Sequence, residues 1–244
     1  MRKCYLFTLL VSVLFCCTLK AQTTKTIDVT QPGTLSAMLG ETLKSVKDLS
    51  ITGKINSADI DALMQAGALE VLNLLDATIV DAEGKETTVF PGYTLRKHPS
   101  LTTLTFPKTV TSIGAGAFFK CLKLKKVVLP EAIKKLSESV FMSCSALSEI
   151  NFPNGLESIG RSALYMTAIT DFIAPKSLRT LGDNALYGTQ ITKAVLNDKL
   201  EKIGQASFAA CKQLEKIEIE NNPNFKLVDG VLYSADETIL VAYP

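Results

Sequence analysis

The sequence LTTLTFPKTVTSIGAGAFFKC, residues 101–121, is followed by four variants of itself that begin 22 or 23 residues apart. The segments SIGAGAF (112–118), SIGRSAL (158–164) and KIGQASF (202–208) show the correspondence most clearly. A fixed period in this range is typical of a solenoid, in which each repeat is one turn of a coil and stacks on its neighbours. The five repeats, numbered in chain order, are 101–123, 124–146, 147–168, 169–190 and 191–213.

The first part of each repeat predicts a short strand. Two apolar residues lie two positions apart, as on one face of a strand. These pairs are Leu104 and Phe106, Val127 and Leu129, Ile150 and Phe152, Phe172 and Ala174, and Ala194 and Leu196. The residue that follows is Pro107, Pro130, Pro153, Pro175 or, in repeat 5, Asn197. Proline ends a strand because it has no N–H for the ladder, and a helix would not place it at the centre of four repeats.

The second part of each repeat predicts a turn that fills the interior. Gly114, Gly160, Gly182 and Gly204 favour a tight or positive-φ corner. Four residues later, a large apolar side chain is expected to fill the wide end of the coil; these are Phe118, Phe141, Leu164, Leu186 and Phe208. One repeat cannot bury these groups, whereas repeats stacked about 4.8 Å apart can. We therefore expect an unbroken stack in which every strand has two neighbours.

These repeats resemble the leucine-rich repeats of the BspA-like bacterial surface proteins, which read approximately L-x-x-I-x-L-P-x-x-[LV]-x-x-I-G-x-x-A-F-x-x-C. Repeat 1 matches this pattern almost column for column, whereas repeats 3 and 4 have Leu in place of Phe and Thr in place of Cys. The resemblance implies an exported protein that binds other proteins at the cell surface, in some members host matrix proteins. It implies no shared active site. The fold class is thus α/β, a right-handed leucine-rich-repeat solenoid with a short strand and a short helical or irregular turn per 22–23 residues.

The chain divides into four predicted segments. Residues 1–21 have the layout of a secretory signal peptide, with Arg2 and Lys3 before an apolar stretch and Ala21 before the cleavage point. A membrane anchor, or a lipoprotein modified at Cys16 or Cys17, is the alternative. Residues 22–68 form an N-terminal cap with a helix over 34–46, and 69–220 form the solenoid. Residues 221–244 form a β-hairpin around 234–237, either a C-terminal cap or a segment after which further repeats would continue.

Charge and cysteine content exclude several functions. Removal of 1–21 leaves 23 basic and 24 acidic residues, which argues against a general nucleic-acid binder. Without this segment, the chain has no second long apolar stretch and keeps an odd number of cysteines: Cys121, Cys144 and Cys211. The first two occupy one column of adjacent repeats, and we expect them to be reduced and buried because parallel side chains suit the disulfide torsion poorly.

No catalytic, cofactor or metal site is predicted. The single histidine, His98, lies next to a proline in the irregular segment before repeat 1, and we interpret it as a surface loop residue. The cysteines lack the CxxC spacing of a zinc site. The chain has no tryptophan, which weakens the hypothesis of a polysaccharide-binding module. We therefore expect no enzymatic activity and no cofactor.

Two surfaces are candidates for binding a protein. On the outward face of the strands, an apolar column flanked by charges is typical of an interaction site, although Val and Ile also simply favour strands. Its members are Val128, Asn151, Ile173 and Val195, with Lys126, Glu149, Asp171 and Lys193 as the polar flank. The second candidate is Tyr165 and Tyr187, which follow the large interior residue in repeats 3 and 4 and are expected either to stack outside or to pack partly against the next coil.

The favoured hypothesis is an exported, cell-surface or secreted, protein-binding and host-adhesive solenoid. The alternative is a structural spacer or stalk segment of a larger surface assembly, with no ligand of its own. The expected partners are proteins, such as host extracellular-matrix or other cell-surface proteins. The sequence indicates neither the partner nor the oligomeric state.

Overall fold

A computed structural model describes residues 24–243 of the 244-residue chain, so the predicted signal peptide lies outside the described residues. The strands are β1 (Thr24–Val29), β2 (Asp48–Ile55), β3 (Val71–Asn73), β4 (Ala77–Ile79), β5 (Val89–Phe90), β6 (Thr103–Thr105), β7 (Ser112–Ile113), β8 (Lys126–Val128), β9 (Lys135–Leu136), β10 (Glu149–Ile150), β11 (Ser158–Ile159), β12 (Asp171–Ile173), β13 (Thr180–Leu181), β14 (Lys193–Leu196), β15 (Lys202–Ile203), β16 (Lys216–Ile219), β17 (Phe225–Val228), β18 (Val231–Ser234) and β19 (Leu240–Ala242). The helices are α1 (Leu35–Leu39) and α2 (Ser57–Gln65), and a 3₁₀ helix spans Gly40–Lys44.

Parallel strands from successive repeats build two surfaces of a solenoid. The first strand of each repeat lies on the front, where β1, β2, β3, β6, β8 and β10 form one sheet and β12, β14 and β16 form another. The second strand of each repeat lies on the side, where β5, β7, β9, β11, β13 and β15 pair in order. Partners such as Lys126 and Glu149 are one repeat apart. The predicted leucine-rich-repeat solenoid is therefore confirmed.

The turns on the remaining side are irregular and are joined by backbone hydrogen bonds. The N–H of Phe118 donates to the carbonyl of Val140 at 3.0 Å, and the N–H of Phe141 donates to the carbonyl of Ala163 at 2.9 Å. The large side chains of this column are buried and stack, with the ring centroids of Phe118 and Phe141 5.6 Å apart. Each repeat thus obtains its interior contacts and its turn-side hydrogen bonds from the next one.

Glycine recurs at the start of the turns for a reason other than the positive φ that the sequence suggests. A Cβ on Gly114 would lie 2.4 Å from the backbone nitrogen of Gly92, and one on Gly204 would lie 2.3 Å from that of Asp183. Close approach of the preceding repeat therefore excludes side chains at these positions. Positive φ occurs two residues later instead, at Gly116, Ser139, Ser162, Asn184 and Ala206.

The expected unbroken ladder of front strands is wrong at one place. Strand β10 pairs with β8 and β12 pairs with β14, but between residues 24 and 243 no strand pairing joins β10 to β12. Repeats 3 and 4 remain joined elsewhere, because β11 pairs with β13 and the Leu164 N–H donates to the Ala185 carbonyl at 2.9 Å. The front of the solenoid is therefore split while its side and turns are continuous.

The cysteine column confirms the free thiols and corrects the prediction for His98. Cys121, Cys144 and Cys211 are buried and free. His98 is also buried, with 2% exposure, because it occupies the same column one repeat before Cys121. Its Nε2 lies 3.2 Å from the Leu63 carbonyl, and the Leu101 N–H donates to its Nδ1 at 3.1 Å. His98 therefore packs inside the solenoid as a neutral side chain.

At the N-terminal end, the predicted long helix is interrupted. Residue Gly40, with φ of 52°, ends α1, and the chain continues as the 3₁₀ helix. Strand β1 precedes α1, and β2 lies between the 3₁₀ helix and α2. Both strands belong to the front sheet, which therefore extends into residues 22–68, the predicted cap. The buried carboxylate of Asp59 holds this region together, because it accepts hydrogen bonds from the N–H groups of Gly33 (2.7 Å), Leu35 (2.9 Å) and Asn56 (3.0 Å).

At the C-terminal end, three strands replace the predicted hairpin. Strand β17 pairs antiparallel with β18, and β18 pairs antiparallel with β19. The turn at 234–237 lies between β18 and β19, as expected, while a turn at Asp229 and Gly230 adds the strand that the sequence interpretation missed. The role of this meander as a cap stays a prediction.

Replacement of Asp59 by Ala should destabilise the protein by about 3 kcal/mol, because the buried N–H of Leu35 and the partly buried hydrogen bonds from Gly33 and Asn56 lose a charged acceptor. Asp61 lies exposed on the same helix and serves as the matched control, for which an Ala substitution should cost less than about 0.5 kcal/mol. Urea denaturation followed by circular dichroism measures both. Equal stabilities of the two variants would contradict the structural role of Asp59.

Acidification should destabilise the protein through His98. Burial lowers the pKa of His98 below its ordinary 6.5, although the hydrogen bond to Leu63 opposes this shift. Below about pH 6.5 the unfolded chain therefore binds a proton that the folded chain does not, and stability falls as the pH falls, by up to about 1.4 kcal/mol per pH unit. A His98→Gln variant keeps a donor but does not titrate, so its free energy of unfolding should change less between about pH 7 and about pH 5. Parallel pH profiles for the two proteins would contradict this origin.

Candidate functional site

The front strands place the predicted apolar column towards solvent. Val128 is 36% exposed and Ile173 is 67% exposed, while Val195 is half-buried. Ile173 and Val195 are strand partners on β12 and β14, whereas Val128 lies on β8, on the other side of the split. The column is therefore not one continuous strip. Val128 lies on one side of the split, and Ile173 and Val195 lie on the other.

Asn151 has a structural role within this column. Its side chain lies beside Leu129, with the Leu129 N–H donating to Oδ1 at 2.7 Å and Nδ2 donating to the Leu129 carbonyl at 2.9 Å. The side-chain amide thus replaces the backbone pairing that would have continued after β10 ends at Ile150. Because these groups are already paired, Asn151 contributes less polar recognition than the sequence suggests.

Three of the four residues of the predicted charged flank form ion pairs, one of them with a residue outside the flank. Lys126 pairs with Glu149 at 3.2 Å, but Lys193 pairs with Glu218 at 2.8 Å. Glu218 also binds Lys216 at 2.7 Å, and the hydrogen bonds to both lysines lower its pKa. Asp171 forms no ion pair with any residue between 24 and 243, and only the Thr170 hydroxyl donates to it, at 3.1 Å. One carboxylate of the flank therefore lacks a cation.

The split between β10 and β12 makes the front face concave. A groove of about 580 Å³ is lined by 126–128, 148–151 and 169–171. A second groove of about 270 Å³ continues past Ile150 and Asp171 to Ile173 and Pro175. Ile150 is half-buried here, although the equivalent Val127 and Phe172 are buried. We refer to the two grooves together as the front cleft.

Two features of repeats 3 and 4 coincide with the front cleft. Phe172 occupies the position at which the other repeats have Leu, Val, Ile or Ala. Its ring packs against that of Phe152 across the split, with the ring centroids 5.6 Å apart. Moreover, β12 follows repeat 3, which is the first repeat with 22 residues and the first with Thr, at 167, in the column of Cys121 and Cys144. A change in repeat length does not by itself separate strands, because β14 and β16 stay paired although repeat 5 again has 23 residues. The bulky Phe172 is therefore the feature specific to the split.

The second candidate patch lies on the turn side. The rings of Tyr165 and Tyr187 stack with centroids 4.8 Å apart and an interplanar angle of 5°, as the sequence allowed. They border a groove of about 420 Å³, which is also lined by Met166, Gly188 and Lys212. Tyr165 and Tyr187 belong to repeats 3 and 4, whose strands β10 and β12 form the two walls of the front cleft.

Other kinds of site find no support in the described part of the chain. Residues 24–243 contain no group of three His, Cys, Asp or Glu side chains placed to hold a metal ion. In the same range, every helix is too short or too polar to cross a membrane.

The repeats define the class of protein as a bacterial-type leucine-rich-repeat solenoid. Residues 85–189 and 149–229 match the BspA type leucine rich repeat region, with six copies of the repeat. Together these matches cover more than half of the chain. The chain belongs to the BspA-type leucine-rich-repeat family, as the resemblance predicted.

Solved structures share the fold at low sequence identity. A leucine rich cell surface protein from Faecalibacterium prausnitzii A2-165 matches with a TM-score of 0.53 and 23% identity, over 66% of this chain and 50% of that protein. A leucine-rich repeat protein from Eubacterium ventriosum ATCC 27560 matches with a TM-score of 0.58 and 22% identity, over 65% and 45%. The T. pallidum leucine rich repeat protein matches with a TM-score of 0.54 and 21% identity, over 64% and 71%.

The present chain thus spans about half the length of the first two of these proteins. No curated protein sequence matches it.

Proposed function

We propose that the protein is exported and binds another protein at the cell surface or in the medium through the front face of its solenoid. The observation that carries this proposal is the exposure of Val128 and Ile173 on the two sides of the front cleft. Exposed aliphatic side chains beside a concavity, with charged side chains next to them, are typical of a protein interface. Host extracellular-matrix proteins are the proposed partner class, since the family resemblance implies adhesion.

Several features support binding over catalysis. The family is a repeat scaffold, and its regular strands hold the face in position. The ion pairs of Lys126 with Glu149 and of Lys193 with Glu218 leave the apolar rim flanked by compensated charges. Such a flank excludes water from the centre and selects partners more than it adds affinity. We therefore propose a non-enzymatic role.

The stacked pair Tyr165 and Tyr187 is the second candidate site for the same function. Tyrosine gives a large contact area at a low cost in conformational entropy, and it is common at interfaces. The groove beside the two rings, of about 420 Å³, favours this alternative specifically. A partner that bound here would contact the turn side and would leave the front face free.

Replacement of Val128, Ile173 and Val195 together by Ser should weaken partner binding at least tenfold. One good apolar anchor is worth about 2 kcal/mol, and the partner would lose three apolar contacts. Binding to a panel of purified extracellular-matrix proteins, measured by surface plasmon resonance, tests this. The melting temperature should change little because these side chains lie outside the core.

The matched control replaces Val89 and Leu122 by Ser, since these residues are 47% and 59% exposed but lie on the side sheet and the turn side. This control should bind as the wild type does. If instead the triple variant keeps its affinity and Tyr165→Ser with Tyr187→Ser abolishes binding, the turn side is the site. If neither set affects any partner, the spacer role is favoured.

Export predicts a processed N-terminus. If residues 1–21 are a signal peptide, the protein recovered from the cell surface or the medium should begin at Gln22. Intact mass spectrometry measures this directly. Retention of residues 1–21, or a lipid on Cys16 or Cys17, would contradict cleavage at this position and would favour an anchored form.

A further inference from the structure

The front cleft separates two strands whose facing backbone groups lack strand partners. The Glu149 N–H donates to the Lys125 carbonyl at 3.0 Å, so the backbone groups of Glu149 point towards β8. Successive residues of a parallel strand alternate between their two neighbours. The N–H and C=O of Ile150 therefore point the other way, into the cleft.

The opposite wall of the cleft has the same property. The Thr192 N–H donates to the Thr170 carbonyl at 2.8 Å, and the Ala174 N–H donates to the Val195 carbonyl at 2.8 Å. These positions of repeat 4 face β14, so the backbone groups of Asp171 and Ile173 face the cleft. Within residues 24–243, no strand pairing joins these two walls. Exposed strand edges of this kind are templates for another strand.

The floor of the cleft limits what can enter. The rings of Phe152 and Phe172 meet beneath it at 5.6 Å, and Phe172 is fully buried. A strand in the cleft therefore finds little space below it for the side chains that point towards the core. Residues at those alternate positions have to be small, such as Ala, Ser or Gly, while the outward positions are unrestricted.

The charge at the rim selects among such strands. Lys126 neutralises Glu149, but the carboxylate of Asp171 has no cation among the described residues. A Lys or Arg of the incoming segment, at an outward position, would supply it. Ile173 lies on the same outward face of β12, two residues after Asp171, and would contact the aliphatic part of that side chain.

We propose that the front cleft binds an extended segment of the partner protein by main-chain pairing, with small residues directed inward and a basic residue beside Asp171. This inference rests on the proposed function, since it names the part of the partner that the front face recognises. Recognition by addition of a strand takes its affinity from backbone hydrogen bonds and its selectivity from alternate side chains. The remaining exposed apolar rim would then contact the body of the partner.

A synthetic peptide tests the inference without knowledge of the natural partner. The probe is acetyl-Thr-Ala-Lys-Ala-Val-amide, titrated into the full mature protein labelled with ¹⁵N. We expect saturable shifts of the amide resonances of Ile150, Asp171 and Ile173, with a dissociation constant of about 1 mM or tighter. Before addition of peptide, these amides should exchange with deuterium faster than that of Val195, whose strand β14 is paired on both sides.

Three altered peptides and two variants separate the contributions. N-methylation of the Ala residues should reduce affinity at least tenfold because it removes main-chain donors, and Leu in place of Ala should do the same because of the floor. Glu in place of Lys should weaken binding several-fold. Asp171→Asn should weaken binding of the Lys-containing peptide several-fold, and the variant should no longer bind that peptide more tightly than the Glu-containing one. Asp198→Asn removes an exposed carboxylate that does not line the front cleft, and should change neither.

The outcomes distinguish this inference from the proposed function. Absence of saturable binding, shifts confined to another surface, or equal affinity of the N-methylated peptide would overturn the strand-pairing inference. If the triple Ser variant has then lost its protein partner, the proposed function stands without the strand. If the triple variant keeps its partner, the front face is not the site and both proposals fail, whatever the peptide does.

Discussion

Each repeat of this protein depends on its neighbours, because one repeat alone cannot bury its own interior. The turn-side hydrogen bond from Phe118 to Val140 and the buried stack of Phe118 on Phe141 both join consecutive repeats. A net hydrogen bond contributes about 1 kcal/mol and a buried large apolar side chain about 2 kcal/mol, so several such contacts hold each junction. The junction between repeats 3 and 4 can therefore lose its front ladder and still persist through its side strands and turns.

The same constraint explains the ends of the solenoid and the role of buried polar groups there. Cys121 and Cys144 bind carbonyls of the preceding repeat, whereas His98, in the same column, binds the carbonyl of Leu63 from α2. Asp59 at the start of α2 then fixes the loop before α1 through Gly33 and Leu35. Backbone groups at this end have no further repeat to pair with among the described residues, so the side chain of Asp59 accepts their hydrogen bonds.

The sequence predicted the repeating columns because packing imposes one residue type on each position. It did not predict features that depend on the neighbouring repeat. The glycines at 114 and 204 avoid a backbone one repeat away, and His98 is buried because it occupies the column of Cys121. A count of three residues back from Leu101 would have found the latter. The pairing of Asn151 with Leu129 and the split at β10 depend on how adjacent repeats fit together, which no single column records.

The residue in the column of Cys121 and Cys144 changes together with the length of the repeat. In the 23-residue repeats, the thiols of Cys121 and Cys144 donate to carbonyls of the preceding repeat, at Leu95 and Phe118. In the 22-residue repeats, the hydroxyls of Thr167 and Thr189 donate within their own repeat, which removes one link to the repeat before. The tyrosine stack lies in these two shorter repeats, and the front cleft lies between their strands β10 and β12 and extends to Val128 of repeat 2. A local loss of regularity thus leaves the facing edges of β10 and β12 without strand partners among residues 24–243, and this is where we propose that a second protein binds.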